Sequence, residues 1–231
     1  MNTNKDKEVS KRQARREQIR RKEQRTRLLG IGLISIAALF VAFLFIYPNF
    51  KPVGEVADAP VIERPDVDFN AVGDPNAPIK IEEYSDFQCP FCRIFFVYHS
   101  FGEFIGPESA AAAEAAYCAG DQGKFWEMHD IIFANQTGEN VGAYTDRRLV
   151  AFAERLQLNM DDFNSCFNAN TYKDLIDEDM KNGILAGIEA TPSFVMTYTV
   201  NGEEKTTIIE GAQTIDVFQQ NIEAALAEMG Q

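Results

Sequence analysis

Apolar and polar positions along the 231 residues fall into three regimes. From Leu28 to Tyr47 the chain runs 20 residues with no charged side chain. At about 1.5 Å of helical rise per residue, that length crosses the hydrocarbon core of a bilayer. From Pro48 to Pro78 there is little periodicity and a scatter of prolines (Pro48, Pro52, Pro60, Pro65, Pro75, Pro78), which predicts an extended tether. From Ile79 onward the periodicity alternates between strand-like and helix-like, which predicts a mixed α/β domain over 79–231.

Within that domain, Ile79–Ser85 reads as a strand and a helix is expected to start near Cys89. Phe95–Ser100 reads as a second strand. Helices are predicted over Glu108–Ala119, Lys124–Ala134, Asp146–Leu156 and Tyr172–Gly187, with a short turn over Met160–Asn168. Ser193–Val200 and Lys205–Glu210 form a hairpin around Asn201-Gly202. Ile215–Met229 is a closing helix with Val217, Phe218, Ile222 and Leu226 on one face.

Charge changes the picture of the ends. The net charge of −13 averages two opposite segments. The first 27 residues carry eleven Lys and Arg against four acids; beyond Tyr47 eleven basic residues face 31 acids, a formal −20. A basic segment against an apolar span is expected to stay in the cytoplasm, which leaves the acidic bulk outside the cell membrane. That bulk is a poor binder of nucleic acid or anionic lipid. Ala57-Asp58-Ala59 has the small-x-small form of a cleavage site, but it lies ten residues past the apolar run and Pro60 follows it, so an uncleaved signal-anchor is the expectation.

The candidate chemistry centres on Ser85-Asp86-Phe87-Gln88-Cys89-Pro90-Phe91-Cys92. Two thiols three positions apart follow a strand directly. If a helix begins at Cys89, its free N–H groups favour the thiolate there and make Cys89 the nucleophile. Cys92, one turn on, is placed to close a disulfide. Zinc binding usually needs a second such pair or a Cys/His pair at matching spacing, and the chain has neither; its two histidines, His99 and His129, lie far apart. No metal site and no cofactor are expected. The other two cysteines, Cys118 and Cys166, sit in predicted helical segments; in an oxidising compartment they read as a stapling bridge or as two buried thiols. Phe125, Trp126 and His129 read as packing and surface of the helical region.

The chain resembles the membrane-anchored DsbA-like thiol–disulfide oxidoreductases of the thioredoxin superfamily. Three motifs carry the likeness in order: Glu82 to Cys92 as first strand and active site, Tyr117 to Asp130 as part of an inserted helical region, and Ala190-Thr191-Pro192-Ser193-Phe194 as the cis-proline loop. The resemblance implies a thioredoxin-like fold with a helical insertion over about 106–187. It implies Cys89 as attacking sulfur, Cys92 as resolving thiol, and Glu83, six residues before Cys89, as a buried proton relay. Pro90, Phe91, Thr191 and Pro192 would meet the substrate. Phe91 offers the thiolate no hydrogen bond or charge, so a milder oxidant is expected than relatives with histidine there. The implied substrates are reduced exported proteins. The implied redox partner is a membrane quinone-linked oxidase of the DsbB or vitamin K epoxide reductase type. A monomer is expected, with no nucleic acid bound. Reductase or isomerase chemistry in reverse, and a non-catalytic peptide-binding module, are the competing readings.

One segment departs from the family pattern. The few residues from Cys92 to Phe96 run almost directly into Val97-Tyr98-His99-Ser100-Phe101, which resembles the second strand. A parallel crossover needs about a dozen residues or more, and compared with the family roughly 20 residues are missing. Two outcomes are open: the second strand is lost into the helix, or the active-site helix shrinks to about one turn.

Overall fold

The computed structural model describes residues 3–47, 52–87 and 97–230. Two compact units divide the chain at residues 52 and 53. The first holds α1 (Thr3–Ile46), whose section Arg20–Ile46 is long and apolar enough to cross a membrane. Its large apolar side chains between Leu28 and Ile46 are exposed.

The second unit opens on Val53–Arg64, followed by a two-stranded antiparallel ribbon, β1 (Val67–Asp68) and β2 (Ala71–Val72). The main sheet follows with β3 (Ile79–Ser85) and β4 (Val97–Ser100). Next come five helices: α2 (Pro107–Gly120), α3 (Phe125–Ala134), α4 (Asp146–Arg155), α5 (Met160–Ala169) and α6 (Lys173–Leu185). A hairpin of β5 (Ser193–Val200) and β6 (Glu203–Glu210) leads to α7 (Ile215–Met229). The sheet order is β4-β3-β5-β6, with β4 parallel to β3 and the rest antiparallel. This is the thioredoxin-like arrangement, with helices inserted between β4 and β5.

Local sequence explains most boundaries. α2 is alanine-rich and begins at Pro107, whose missing N–H would have had no partner in the first turn. Asn159 caps α5 by accepting from the N–H groups of Asp161 and Asp162, and Asn170 ends it in the left-handed region. With that cap and stop, 160–169 is a complete helix rather than the short turn expected from sequence. Asn201 and Gly202 both take positive φ, as a two-residue hairpin turn requires.

Two cores result. Aromatic and alanine side chains of α2, α3, α4 and α5 bury one another in the insertion, around Tyr117, Phe125, Phe152 and Phe163. On the sheet, Ile81, Phe194, Met196 and Ile209 pack under Phe218 of α7, with the Phe194 and Phe218 rings edge-on at 4.8 Å. Tyr84, Phe101, Ile188 and Val195 form a smaller cluster, with Met180 of α6 packed against it.

The proline-rich stretch is extended, yet from Val53 it belongs to the folded unit. It lies along the insertion as a strap. Arg148 donates to the Val53 carbonyl at 2.8 Å. Arg155 grips Asp58 through two bonds, and Arg64 grips Asp130 the same way with its guanidinium 5.0 Å from the Trp126 ring.

The second strand survives the short crossover. Val97–Ser100 pairs in parallel with Glu82–Ser85, so the outcome in which this strand is lost does not occur. Residues 86–96 are all that join the two strands. The expected helix at Cys89, and its length, lie outside the described residues.

Candidate active site

β3 brings its side chains to the site by alternation. Ile81, Glu83 and Ser85 fall on one face, with Glu82 and Tyr84 on the other. Glu83 pairs across the sheet with Phe194 and is 1% exposed, so a carboxyl stands among apolar neighbours of the α7 face. Ser85 and Asp86 are buried too, and Asp86 accepts a hydrogen bond from the Ile105 N–H at 3.0 Å. Phe87 is fully buried against Tyr98 and Phe133. The last described residues before the Cys-Pro-Phe-Cys motif are therefore anchored firmly. Cys89, Pro90, Phe91 and Cys92 themselves lie outside the described residues.

The Thr191–Pro192 peptide bond is cis, as the resemblance implied. Tyr84 pairs with Ser193, so Pro192 comes next to Ser85, at the carboxyl end of β3. The Pro192 carbonyl accepts from the Gly211 N–H at 2.8 Å, and Ser193 Oγ donates to the Ala190 carbonyl at 2.7 Å. The loop is thus fixed from both sides. It is brought to the same end of the sheet from which the chain enters the motif.

On the opposite face a polar cluster ties the sheet to the insertion. His99 Nδ1 lies 2.8 Å from Asp179 of α6, and its Nε2 lies 3.1 Å from Glu82. Asp179 also accepts from the Tyr117 hydroxyl at 2.8 Å. Burial opposes a charge on His99, but its bonds and charge attraction to Asp179 and Glu82 prevail and lift its pKa to about 9. The bond to His99 holds Glu82 down to about 2, against burial and with help from Lys80. His99 is thus held as an imidazolium at neutral pH, with Glu82 on one side and Asp179 on the other. Glu82 is a member of this clamp.

His129 and Trp126 belong to the packing of the helical region, and both are buried. His129 is 7% exposed among Phe87, Tyr98, Trp126 and Phe133. Burial pushes its pKa down, more than its bond to Asp130 pushes it up.

The predicted Cys118–Cys166 bridge is present, joining α2 to α5 across a sequence separation of 48. Among the described residues, the grouping of ligand types near enough to share an ion is Glu114, Cys118 and Cys166. The bridge occupies both of its sulfurs.

A family model described as thioredoxin matches residues 67–101 and 94–224. The chain belongs to the thioredoxin family. The two matched stretches of this thioredoxin-family chain overlap at 94–101, so the family pattern breaks just after the motif, where the crossover is short.

Among curated relatives, Na(+)/H(+) antiporter NhaA 1 of Salinispora arenicola is 32% identical over 188 residues, 74% of this chain and 27% of that protein. The chain thus spans about a quarter of the length of that relative. The probable disulfide bond formation protein D of Bacillus cereus is 27% identical over 146 residues, 53% of this chain and 67% of that one. Among solved structures, BdbD from Bacillus subtilis superposes with a TM-score of 0.56 at 20% identity, covering 74% of this chain and all of that one. Pseudomonas aeruginosa DsbA2 gives 0.56 at 20% identity, covering 70% and 96%. These likenesses establish the fold.

Proposed function

We propose that this chain is a membrane-anchored thiol–disulfide oxidoreductase that exchanges a Cys89–Cys92 disulfide with thiols of exported proteins, chiefly as an oxidant. The observation that carries this reading is the cis Thr191–Pro192 loop beside Ser85, at the sheet end where β3 enters the Cys-Pro-Phe-Cys motif, with Glu83 buried two residues back along the strand.

In this reading a substrate thiolate attacks Cys89 Sγ. The Cys89–Cys92 bond breaks and Cys92 leaves with the electron pair, to be protonated. A second substrate thiolate then attacks the substrate sulfur of the mixed disulfide. The substrate departs oxidised and both active-site cysteines are reduced. In the same reading Glu83, buried on β3, hands a proton to the departing Cys92 and recovers it later. In this reading an extended substrate lies against the cis Thr191–Pro192 loop, which gives affinity with little sequence preference. Re-oxidation falls to a membrane oxidase of the DsbB or vitamin K epoxide reductase type. The basic residues before the apolar helix favour a cytoplasmic N-terminus and an extracytoplasmic domain.

A second reading, a non-catalytic module that binds extended peptides, is favoured by the short 86–96 crossover alone. The deciding experiment equilibrates the full chain, in detergent, against a glutathione series and quantifies the Cys89–Cys92 bond by thiol trapping and mass spectrometry. A potential of roughly −120 to −180 mV supports a disulfide donor, and roughly −250 mV or lower supports a reductase. With no reversible couple, and with peptide binding unchanged by Cys89→Ser, the binding module stands.

A further inference from the structure

The Cys118–Cys166 bridge has features that a plain staple does not need. Its two residues differ in exposure: Cys118 is 1% exposed, whereas Cys166 on α5 is only partly buried. A carboxyl lies against each. Glu114, one turn before Cys118 on α2, places Oε1 3.7 Å from Cys118 Sγ, and Asp121 places Oδ2 3.7 Å from Cys166 Sγ. Glu114 is 3% exposed, and its oxygens accept from the Tyr172 N–H at 3.0 and 3.2 Å.

We propose that this bridge is a second thiol–disulfide exchange site, independent of Cys89 and Cys92, at which small neutral or cationic thiols attack Cys166 and Glu114 protonates the departing Cys118. The incoming thiolate forms a bond to Cys166 Sγ as the S–S bond breaks. Cys118 leaves with the electron pair and takes a proton from the Glu114 carboxyl, which is left ionised. A second thiolate then attacks the mixed disulfide, releasing Cys166 as a thiolate that picks up a proton from water. The small thiol leaves as its own disulfide. Two electrons have passed from two thiols to the bridge, and Glu114 regains its proton from solvent.

Access and charge set the roles. Attack on Cys118 would require opening the insertion core, whereas Cys166 is only partly buried. A thiolate released at Cys118 would be stranded among alanine and aromatic side chains unless it is neutralised at once. Glu114 is the acid in contact with it. Burial pushes the Glu114 carboxyl upward, the Tyr172 and Thr171 N–H groups pull it back, and the charge of Asp121 pushes it up again, so the shift is upward. The same Asp121 carboxylate beside Cys166 repels an anionic attacker, which selects against glutathione and for a thiol such as cysteamine.

The test uses the full chain in detergent carrying Cys89→Ser and Cys92→Ser, equilibrated with cysteamine–cystamine and with glutathione buffers, then alkylated and mapped by mass spectrometry. Expected are a reversible couple in the folded protein, an adduct on Cys166 in at least tenfold excess over Cys118, and faster reaction with cysteamine than with glutathione at low salt. At equal thiolate concentration, the rate should fall as pH rises through the Glu114 titration. Glu114→Gln should slow it by roughly tenfold or more and flatten that profile. A bridge that opens only on unfolding, or adducts shared equally between the two cysteines, overturns the proposal. So does a Glu114→Gln profile identical to the parent, which is what a mere cap of α6 predicts. If that variant fails to fold, the position of the adduct in the parent decides alone.

Discussion

Asn135 holds both polar groups of one peptide residue, Ala57, in its side-chain amide: the Ala57 N–H donates to Oδ1 at 2.8 Å, and Nδ2 donates to the Ala57 carbonyl at 2.9 Å. A single side chain thereby satisfies the backbone at the middle of the strap, much as a neighbouring strand would.

Asn135→Ala leaves that peptide unpaired against the insertion. Asn135 Nδ2 also donates to the Ile131 carbonyl, so a third bond is lost with the two to Ala57. The expected cost is about 1–3 kcal/mol, read as a lowered urea midpoint. Deleting residues 53–64 should cost more than this substitution, and a chain shortened to begin at residue 70 should unfold at lower temperature than one beginning at residue 53.

The His99 clamp makes stability depend on pH in a defined window. Because the folded pKa is raised to about 9 from an unfolded value near 6.5, the clamp contributes fully below about pH 6.5. It weakens between these values and is lost above about 9. His99→Gln should remove on the order of 2 kcal/mol at pH 6 and much less at pH 9.5. Urea midpoints of both proteins from pH 6 to 9.5 measure the difference, and parallel curves would refute the clamp.

Gly183 is where α6 meets the sheet. A Cβ there would lie 2.6 Å from the Phe101 ring and 2.8 Å from the Tyr84 ring. Gly183→Ala should cost about 1–3 kcal/mol by forcing α6 outward. The shift should also loosen the Asp179–His99 bond, so the variant's stability should show a weaker pH dependence than the parent.

At the proposed active site, Cys92→Ser should trap a mixed disulfide on Cys89, and Cys89→Ser should abolish exchange there. Glu83→Gln should slow the first attack, which breaks the Cys89–Cys92 bond and expels Cys92, by roughly 10²-fold, with little change in the rate at which a second thiolate resolves the mixed disulfide. Stopped-flow thiol kinetics on the intact chain separates the two steps.

The elements that follow local rules were legible. β3, β5 and α7 have the bounds that their alternation and apolar stripe predict, and Asn201-Gly202 gave the hairpin turn. The cis bond at Pro192 and the Cys118–Cys166 bridge came from family likeness and cysteine parity. The strap and the His99 clamp left no such trace. Asp58 meets Arg155, and His99 meets Asp179, across long stretches of sequence. Single charged residues at those distances carry no periodicity, and only the folded insertion brings them together. The ribbon of β1 and β2 is two residues wide, too short for alternation to register. His129 read, with Phe125 and Trp126, as packing and surface of the helical region; the structure puts it in the packing, inside a ring of aromatics.

The strap also decides how the domain carries mechanical load. Any pull on the chain at Pro52 reaches the folded unit first through the Val53 carbonyl on Arg148, then Ala57 on Asn135, Asp58 on Arg155 and Arg64 on Asp130. These grips fall in sequence along the line and end on α4, on α3 and on Asn135 just past the end of α3. Tension is therefore spent on the insertion, one contact at a time, before it reaches β3, and the sheet end that holds Pro192 keeps its geometry while the chain is tugged.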